Sequence, residues 1–153
     1  METKNKMTKK ILVAEDNESL RNCYERVFKI YLKEKFDVLL AKDGKEEVEL
    51  YKKNQCDIDA IVTDQDMPYK TGLEAALEIK EEARKNGNSV PIIMVTGGHR
   101  GLTEKFNEGK LPQIDYLIHK PFSNQTLIGA VEEYIQIYRE NKKWKLNQNF
   151  WKY

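Results

Sequence analysis

The sequence is poor in the residues that build membrane spans, disulfide frameworks and metal-binding cysteine clusters. None of its apolar runs approaches the roughly 20 residues that a membrane helix needs. Its two cysteines, Cys23 and Cys56, lack the spacing of a zinc site, and Cys23 falls in a predicted helix. We therefore expect neither a membrane span nor a zinc site, and we expect both thiols to be reduced, as they are in the cytoplasm.

An excess of charge of one sign is also missing. The chain has 26 basic and 25 acidic residues, for a net charge of +1, so no overall field attracts nucleic acid or a membrane surface. Residues 1–10 are polar and lysine-rich with no apolar stretch behind them, which argues against a secretory signal. A chain of 153 residues is long enough to bury the core of one domain, which we expect to be cytoplasmic.

What the sequence does have is short apolar runs that alternate with longer amphipathic stretches, the pattern of βα units in a parallel sheet. We predict strands at about 10–14, 36–40, 58–63, 91–95 and 114–119. We predict helices at about 17–33, 44–53, 71–86, 99–108 and 123–140, the last capped by Ser123. The domain then spans 10–140, between a short polar arm at 1–9 and a basic, aromatic tail at 141–153.

Polar side chains of the kinds that phosphoryl chemistry needs stand where four of these strands end. They are, in chain order, Glu15, Asp16, Asp64, Thr96 and Lys120. In parallel sheets, ligands bind beyond the carboxyl ends of the strands. We therefore expect these side chains to converge on one crevice.

The Asp64 carboxylate can act as a nucleophile toward a phosphoryl group and so form an aspartyl-phosphate. Both reactants are negative, so the reaction needs positive charge nearby. Mg²⁺ would supply it, bound directly by Asp16 and Asp64 and through a water molecule by Glu15. Lys120 would add a fixed positive charge on the phosphoryl oxygens, and Thr96 one hydrogen bond.

The same residues also have structural interpretations. An acidic pair after a strand stabilises a helix N-terminus, Thr-Gly-Gly is a common turn, and Lys-Pro often precedes a helix. Their fixed order and spacing together favour the functional interpretation.

The sequence resembles the receiver domains of two-component response regulators over about 10–138. That family has an acidic pair after strand one, and a phospho-accepting Asp followed by Met-Pro at +3 and +4 and Gly at +8. It also has Thr or Ser with a small residue after strand four, and Lys-Pro-Phe after strand five. The matching residues are Glu15-Asp16, Asp64, Met67, Pro68, Gly72, Thr96-Gly97 and Lys120-Pro121-Phe122.

The resemblance implies an α/β, flavodoxin-like fold, with five helices around a doubly wound, five-stranded parallel sheet in the order 2-1-3-4-5. It implies a stand-alone receiver that accepts a phosphoryl group on Asp64 from a histidine kinase or a histidine phosphotransfer protein. The main-chain carbonyl of Asp66 would be a further Mg²⁺ ligand. Slow self-dephosphorylation is the only enzymatic activity implied. We expect output through contacts with an unknown protein target, since no sequence remains for a DNA-binding or catalytic output domain.

One departure from the family pattern concerns the fifth strand. Family members often carry an aromatic residue three positions before the Lys, and Leu117 stands there in this chain. Tyr116 lies one residue earlier, so it should point to the opposite face of the strand. For His99 and His119 we predict structural or surface roles rather than phosphoryl acceptance.

Two other functions stay open at this point. Asp64-Gln65-Asp66, with Thr96 and Lys120 on later strand ends, would also suit a phosphohydrolase of the haloacid dehalogenase type. That family, however, places its DxD on the first strand of its core. The other alternative is a pseudo-receiver, a binding module that does not use phosphate.

The tail at 141–153 interleaves lysines with aromatic residues. Such a segment can stack on single-stranded nucleic acid, but we favour contact with a protein because the chain is otherwise neutral. A homodimer is a further hypothesis, formed through this tail or through the surface of the fourth helix, fifth strand and fifth helix.

Overall fold

A computed structural model describes residues 9–32 and 35–150, in which five strands alternate with five helices. The strands are β1 (Lys9–Ala14), β2 (Phe36–Ala41), β3 (Ile58–Asp64), β4 (Ile92–Thr96) and β5 (Tyr116–His119). The helices are α1 (Glu18–Tyr31), α2 (Gly44–Asn54), α3 (Gly72–Lys85), α4 (Arg100–Asn107) and α5 (Asn124–Phe150). Of the predicted segments, most of the N-terminal arm (1–8), residue 33 of the first helix and the last tail residues (151–153) lie outside the described residues.

All neighbouring strands pair in parallel, in the order β2-β1-β3-β4-β5. The predicted flavodoxin-like fold is therefore confirmed. None of the helices within the described part of the chain is long and apolar enough to cross a membrane.

Helices cover both faces of the sheet, and each face has its own apolar core. Tyr51 of α2, Ile79 of α3 and Leu102 of α4 pack on one face. Phe28 of α1 and Val131 of α5 pack on the other. Because successive side chains of a strand point to opposite faces, each strand contributes to both cores, and the central strands β3 and β4 are almost continuously buried.

Capping side chains fix where most of the helices begin. Asn17, Asp43 and Thr71 each accept a hydrogen bond from a backbone amide in the first turn of the helix that follows. Ser123 accepts one from the amide three residues on, at 3.1 Å, which confirms the predicted cap of α5. His99 precedes α4, and its side chain makes no such bond to any described residue.

The last helix is longer than the sequence analysis predicts. Its predicted end at about 140 is wrong, because α5 continues to Phe150. Residues 141–150 contain neither glycine nor proline, and their lysine, leucine and glutamine residues favour helix. Most of the predicted tail therefore continues α5.

Candidate functional site

The five predicted side chains follow the carboxyl ends of four neighbouring strands. Glu15 and Asp16 come directly after β1, Asp64 and Thr96 end β3 and β4, and Lys120 comes directly after β5. Since β1, β3, β4 and β5 are adjacent in the sheet, these ends meet along one edge. The predicted crevice is therefore present.

Three carboxylates form the floor of this crevice. One oxygen each of Glu15, Asp16 and Asp64 lies within 4.8 Å of the others. Glu15 is 1% exposed and Asp64 is 7% exposed, whereas Asp16 is open to solvent. The buried Glu15 Oε2 has no hydrogen-bond partner among the described residues. Hard divalent cations such as Mg²⁺ take carboxylate oxygens as ligands, so these three clustered carboxylates could hold one.

Lys120 supplies the positive charge of the crevice. Its Nζ lies 3.2 Å from Asp64 Oδ1 and 3.7 Å from Glu15 Oε2. The Lys120 amide donates to the carbonyl of Thr96 at 2.8 Å, so the β4–β5 pairing fixes where the side chain leaves the backbone. The peptide bond between Lys120 and Pro121 is cis.

Burial of Glu15 and Asp64 disfavours the ionised form of both side chains. Burial raises the pKa of Glu15 to about 7, against the hydrogen bond from the Asn17 amide; the Asp64 charge raises this pKa further and Lys120 lowers it. Burial also raises the pKa of Asp64, and the adjacent Lys120 ammonium acts in the opposite direction. A second cation beside Lys120 in the crevice would therefore lower the pKa of both acids and favour their ionised form.

The backbone around Asp64 is held by the start of α3. A Cβ atom on Gly72 would lie 2.3 Å from the carbonyl oxygen of Asp64, so only glycine fits there. The Gly72 amide donates to the carbonyl of Gln65 at 3.0 Å, and the Gln65 side chain accepts from the Leu73 amide at 3.0 Å. The close approach of Gly72 to Asp64 explains why a glycine stands eight residues after Asp64.

Arg21 of α1 holds the loop that carries the acidic pair. Its guanidinium donates to the carbonyl of Glu15 at 2.8 Å and to the carbonyl of Asp16 at 3.3 Å. Sequence analysis missed this residue, and the available signal was weak: a basic residue in α1, a few positions after the acids.

Thr96 ends β4, and the neighbouring strand β5 carries Tyr116 and Leu117. The Thr96 hydroxyl is fully buried and has no hydrogen-bond partner within the described part of the chain. Leu117 packs against the core under α2, α3 and α4. Tyr116 instead contacts Tyr134 of α5, with ring centroids 5.6 Å apart, which confirms that Tyr116 and Leu117 point to opposite faces.

Both histidines are exposed, as expected for surface roles. His119 Nε2 lies 3.5 Å from the Thr103 hydroxyl of α4. His99 Nε2 lies 3.0 Å from Asp66 Oδ2, a contact that sequence analysis missed. The Asp66 carboxylate is thus directed to His99, and the metal-binding role of its main-chain carbonyl stays a prediction.

Comparison with known proteins gives consistent matches. The response regulator receiver domain family matches residues 11–132. The chemotaxis protein CheY of Halobacterium salinarum is 33% identical over 128 residues, which cover 83% of this chain and 97% of that protein. A hybrid signal transduction histidine kinase of Dictyostelium discoideum is 35% identical over 139 residues, which cover 88% of this chain but 8% of the kinase.

Solved structures agree with the sequence matches. A response regulator receiver domain protein from Clostridium thermocellum superimposes with a TM-score of 0.71 at 26% identity, over 90% of this chain and 98% of that one. The receiver domain of a sensor histidine kinase from Pseudomonas aeruginosa has a TM-score of 0.68 at 26% identity, over 84% and 98% of the two chains. That structure has a magnesium ion coordinated in its active-site cleft.

These matches do not favour the phosphohydrolase or the pseudo-receiver. With the parallel sheet in the predicted order, and acids, hydroxyl and ammonium on its strand ends, the chain belongs to the receiver domain family of two-component response regulators.

Proposed function

We propose that the chain is a response regulator receiver that accepts a phosphoryl group on Asp64. The observation that carries the proposal is the setting of the Asp64 carboxylate, which is buried beside two further acids and lies 3.2 Å from Lys120 Nζ. The donor would be a phosphohistidine of a histidine kinase or a histidine phosphotransfer protein, as in other two-component systems.

In the proposed transfer, an oxygen of Asp64 attacks the phosphorus atom. A P–O bond to the carboxylate forms, and the P–N bond of the phosphohistidine breaks with its electron pair going to the imidazole. Lys120 stays close enough to neutralise negative charge on the transferred group. The buried Thr96 hydroxyl, which makes no other hydrogen bond within the described residues, is free to donate one to a phosphoryl oxygen.

The acidic cluster fits Mg²⁺ as the cofactor of this reaction. Asp16, Asp64 and the main-chain carbonyl of Asp66 would hold it directly, and Glu15 would do so through a water molecule. When bound, it neutralises charge on the phosphoryl oxygens. Its binding would also offset the cost of ionising the buried Glu15.

Output in this proposal passes through protein contacts in the cytoplasm. Phosphorylation would shift the population of the surface formed by α4, β5 and α5, which a target protein or a second copy of the chain then binds. The C-terminal part of α5 and the tail that follows it, 141–153, are the other candidate for that contact. Slow loss of the phosphoryl group by hydrolysis would end the signal.

Intact mass spectrometry after incubation with acetyl phosphate and Mg²⁺ tests the proposal. We expect wild type to gain one phosphoryl mass, and Asp64→Ala to gain none. Asp37→Ala is the matched control, because Asp37 is an exposed acid on β2, outside the crevice. The proposal is abandoned if wild type gains no mass, or if Asp64→Ala gains as much as wild type. EDTA in place of Mg²⁺ should abolish the gain.

A further inference from the structure

A buried acid of α2 contacts the carboxyl end of β3. Glu47 lies in the first turns of α2, is fully buried, and its Oε2 accepts a hydrogen bond from the Thr63 hydroxyl at 2.9 Å. Thr63 is also fully buried and directly precedes Asp64 in the strand. This bond therefore joins α2 to the strand end that carries the proposed phosphoryl acceptor.

The Thr63 hydroxyl lies between the acid of α2 and the backbone of the acceptor residue. Its Oγ1 is 2.9 Å from Glu47 Oε2 and 3.3 Å from the main-chain carbonyl oxygen of Asp64. A hydroxyl group has one hydrogen to donate, and the shorter distance favours Glu47 as its acceptor. The position of this hydroxyl beside the Asp64 backbone therefore depends on Glu47.

A second contact of α2 lies on the other side of Asp64 in the chain. A Cβ atom on Gly44, the first residue of α2, would lie 2.3 Å from the carbonyl oxygen of Lys70, in the loop between β3 and α3. The side chain of Asp43 caps the helix at this point. α2 therefore contacts the segment that carries Asp64 at two places, at Thr63 before it and at Lys70 after it.

A buried carboxyl group at this position costs free energy that an apolar side chain would not. Val48 and Tyr51 of the same helix belong to the apolar core, whereas Glu47 Oε1 has no hydrogen-bond partner among the described residues. Burial raises the pKa of Glu47 to about 8. Proteins break the rules of core composition mainly at functional sites, so the side-chain hydrogen bond that Glu47 does make, with Thr63, indicates where its role lies.

We propose that Glu47 is a positioning residue for phosphoryl transfer to Asp64, and that it acts through the Thr63 hydroxyl on the end of β3. The inference rests on the proposed function and extends it to a residue of the core beneath α2. Glu47 holds the Thr63 hydroxyl against the Asp64 backbone. That backbone directs the carboxylate, whose Oδ1 is 3.2 Å from Lys120 Nζ. Attack on phosphorus depends on this direction, because a misplaced nucleophile reacts more slowly.

Glu47→Met tests the inference, because methionine has a similar length but offers no oxygen to the Thr63 hydroxyl. The full chain is incubated with acetyl phosphate and Mg²⁺, and the gain of phosphoryl mass is followed with time. We expect the rate to fall about 2- to 12-fold, the range that corresponds to one hydrogen bond. Glu47→Gln keeps an oxygen for Thr63 and should restore the wild-type rate. Glu49→Met is the matched control, because Glu49 is an exposed acid on the same helix, and it should react like wild type.

Thr63→Val breaks the same bond from the strand and should slow phosphorylation by a similar factor. Adding Glu47→Met to Thr63→Val should cause no further slowing. The inference is refuted if folded Glu47→Met reacts at the wild-type rate, or if Glu47→Gln reacts as slowly as Glu47→Met. If Glu47→Met does not fold, a wild-type rate in Thr63→Val refutes the inference. If wild type gains no phosphoryl mass, the proposed function fails and the inference with it, whereas an equal gain in wild type and in every variant refutes the inference alone.

Discussion

Glu47 of α2 has an environment that should make the stability of this protein unusually sensitive to pH. Its side chain is 0% exposed and faces the core between α2 and the sheet. The hydroxyl of Thr63 donates to Glu47 Oε2 at 2.9 Å, but Oε1 has no partner within the described residues. Burial raises the pKa of Glu47 from 4.5 to about 8, with only the Thr63 hydrogen bond opposing it.

The sign of the effect follows from the proton count. Between pH 4.5 and about 8 the folded protein keeps a proton on Glu47 that the unfolded chain has released. Stability therefore falls as pH rises through this range. At pH 7 the cost is the free energy of protonating an acid 2.5 pH units above its ordinary pKa, about 3 kcal/mol. Since Glu47 is fully buried, solvent screening does not reduce this free-energy cost.

Glu47→Gln should remove this cost. The amide has the shape of the protonated acid, and its oxygen can still accept from Thr63. Urea unfolding of wild type and variant at pH 5, 6, 7 and 8 measures the difference. We expect a small gap at pH 5 that widens by about 3 kcal/mol by pH 8, which moves the urea midpoint by between about 1 and 3 M.

Glu49→Gln is the control for this experiment, because Glu49 is an exposed acid on the same helix. Its stability should parallel that of wild type at every pH. The reasoning is refuted if the gap between wild type and Glu47→Gln stays constant from pH 5 to pH 8. A pH dependence common to all three proteins would come from other groups, such as Glu15, and cancels in the comparison.

Three further predictions concern other parts of the molecule. Tyr138→Phe removes the 2.5 Å hydrogen bond from the Tyr138 hydroxyl to Asp115, and should lower the free energy of unfolding by roughly 1.5 kcal/mol in urea; an unchanged midpoint would contradict this. Tyr69 is 83% exposed at a φ of 67°, a conformation that asparagine adopts more readily than tyrosine. Tyr69→Asn should therefore raise the free energy of unfolding in urea by up to about 1 kcal/mol. A lower free energy of unfolding would show that the Tyr69 ring makes a contact that contributes more than the backbone strain costs. Gly72→Ala places a methyl group 2.3 Å from the carbonyl oxygen of Asp64, and phosphorylation by acetyl phosphate should slow markedly; uptake at the wild-type rate would contradict this packing.

The fold and the main site residues could be predicted because both depend on local patterns. A short apolar run bounded by turns identifies a strand, and the residue after it is then placed at the carboxyl edge without knowledge of any distant contact. Glu15, Asp64, Thr96 and Lys120 were located in this way, and the structure places all four at that edge. The start of α5 can be predicted in the same way, because the cap residue Ser123 is recognised from the neighbouring sequence alone.

What could not be predicted depends on contacts between distant segments. The contact between Asp66 and His99 joins residues of two different loops, and no local sequence pattern predicts it. Glu47 lies between Glu46 and Val48 in a highly charged helix, where a glutamate is normally assigned to the solvent face. The end of α5 is not evident from the sequence, because the composition changes at 141 although no helix-breaking residue stands there.

The position of Lys120, directly after the last strand of the sheet, has a consequence for the newly made chain. The acceptor crevice needs β1, β3, β4 and β5 side by side, and β5 is the last of them to leave the ribosome. A nascent or partly folded chain thus displays Asp64 without its ammonium partner, and under the proposed function it would be a poor substrate for a kinase. The phosphorylated pool in a cell would then report only molecules that have completed the sheet.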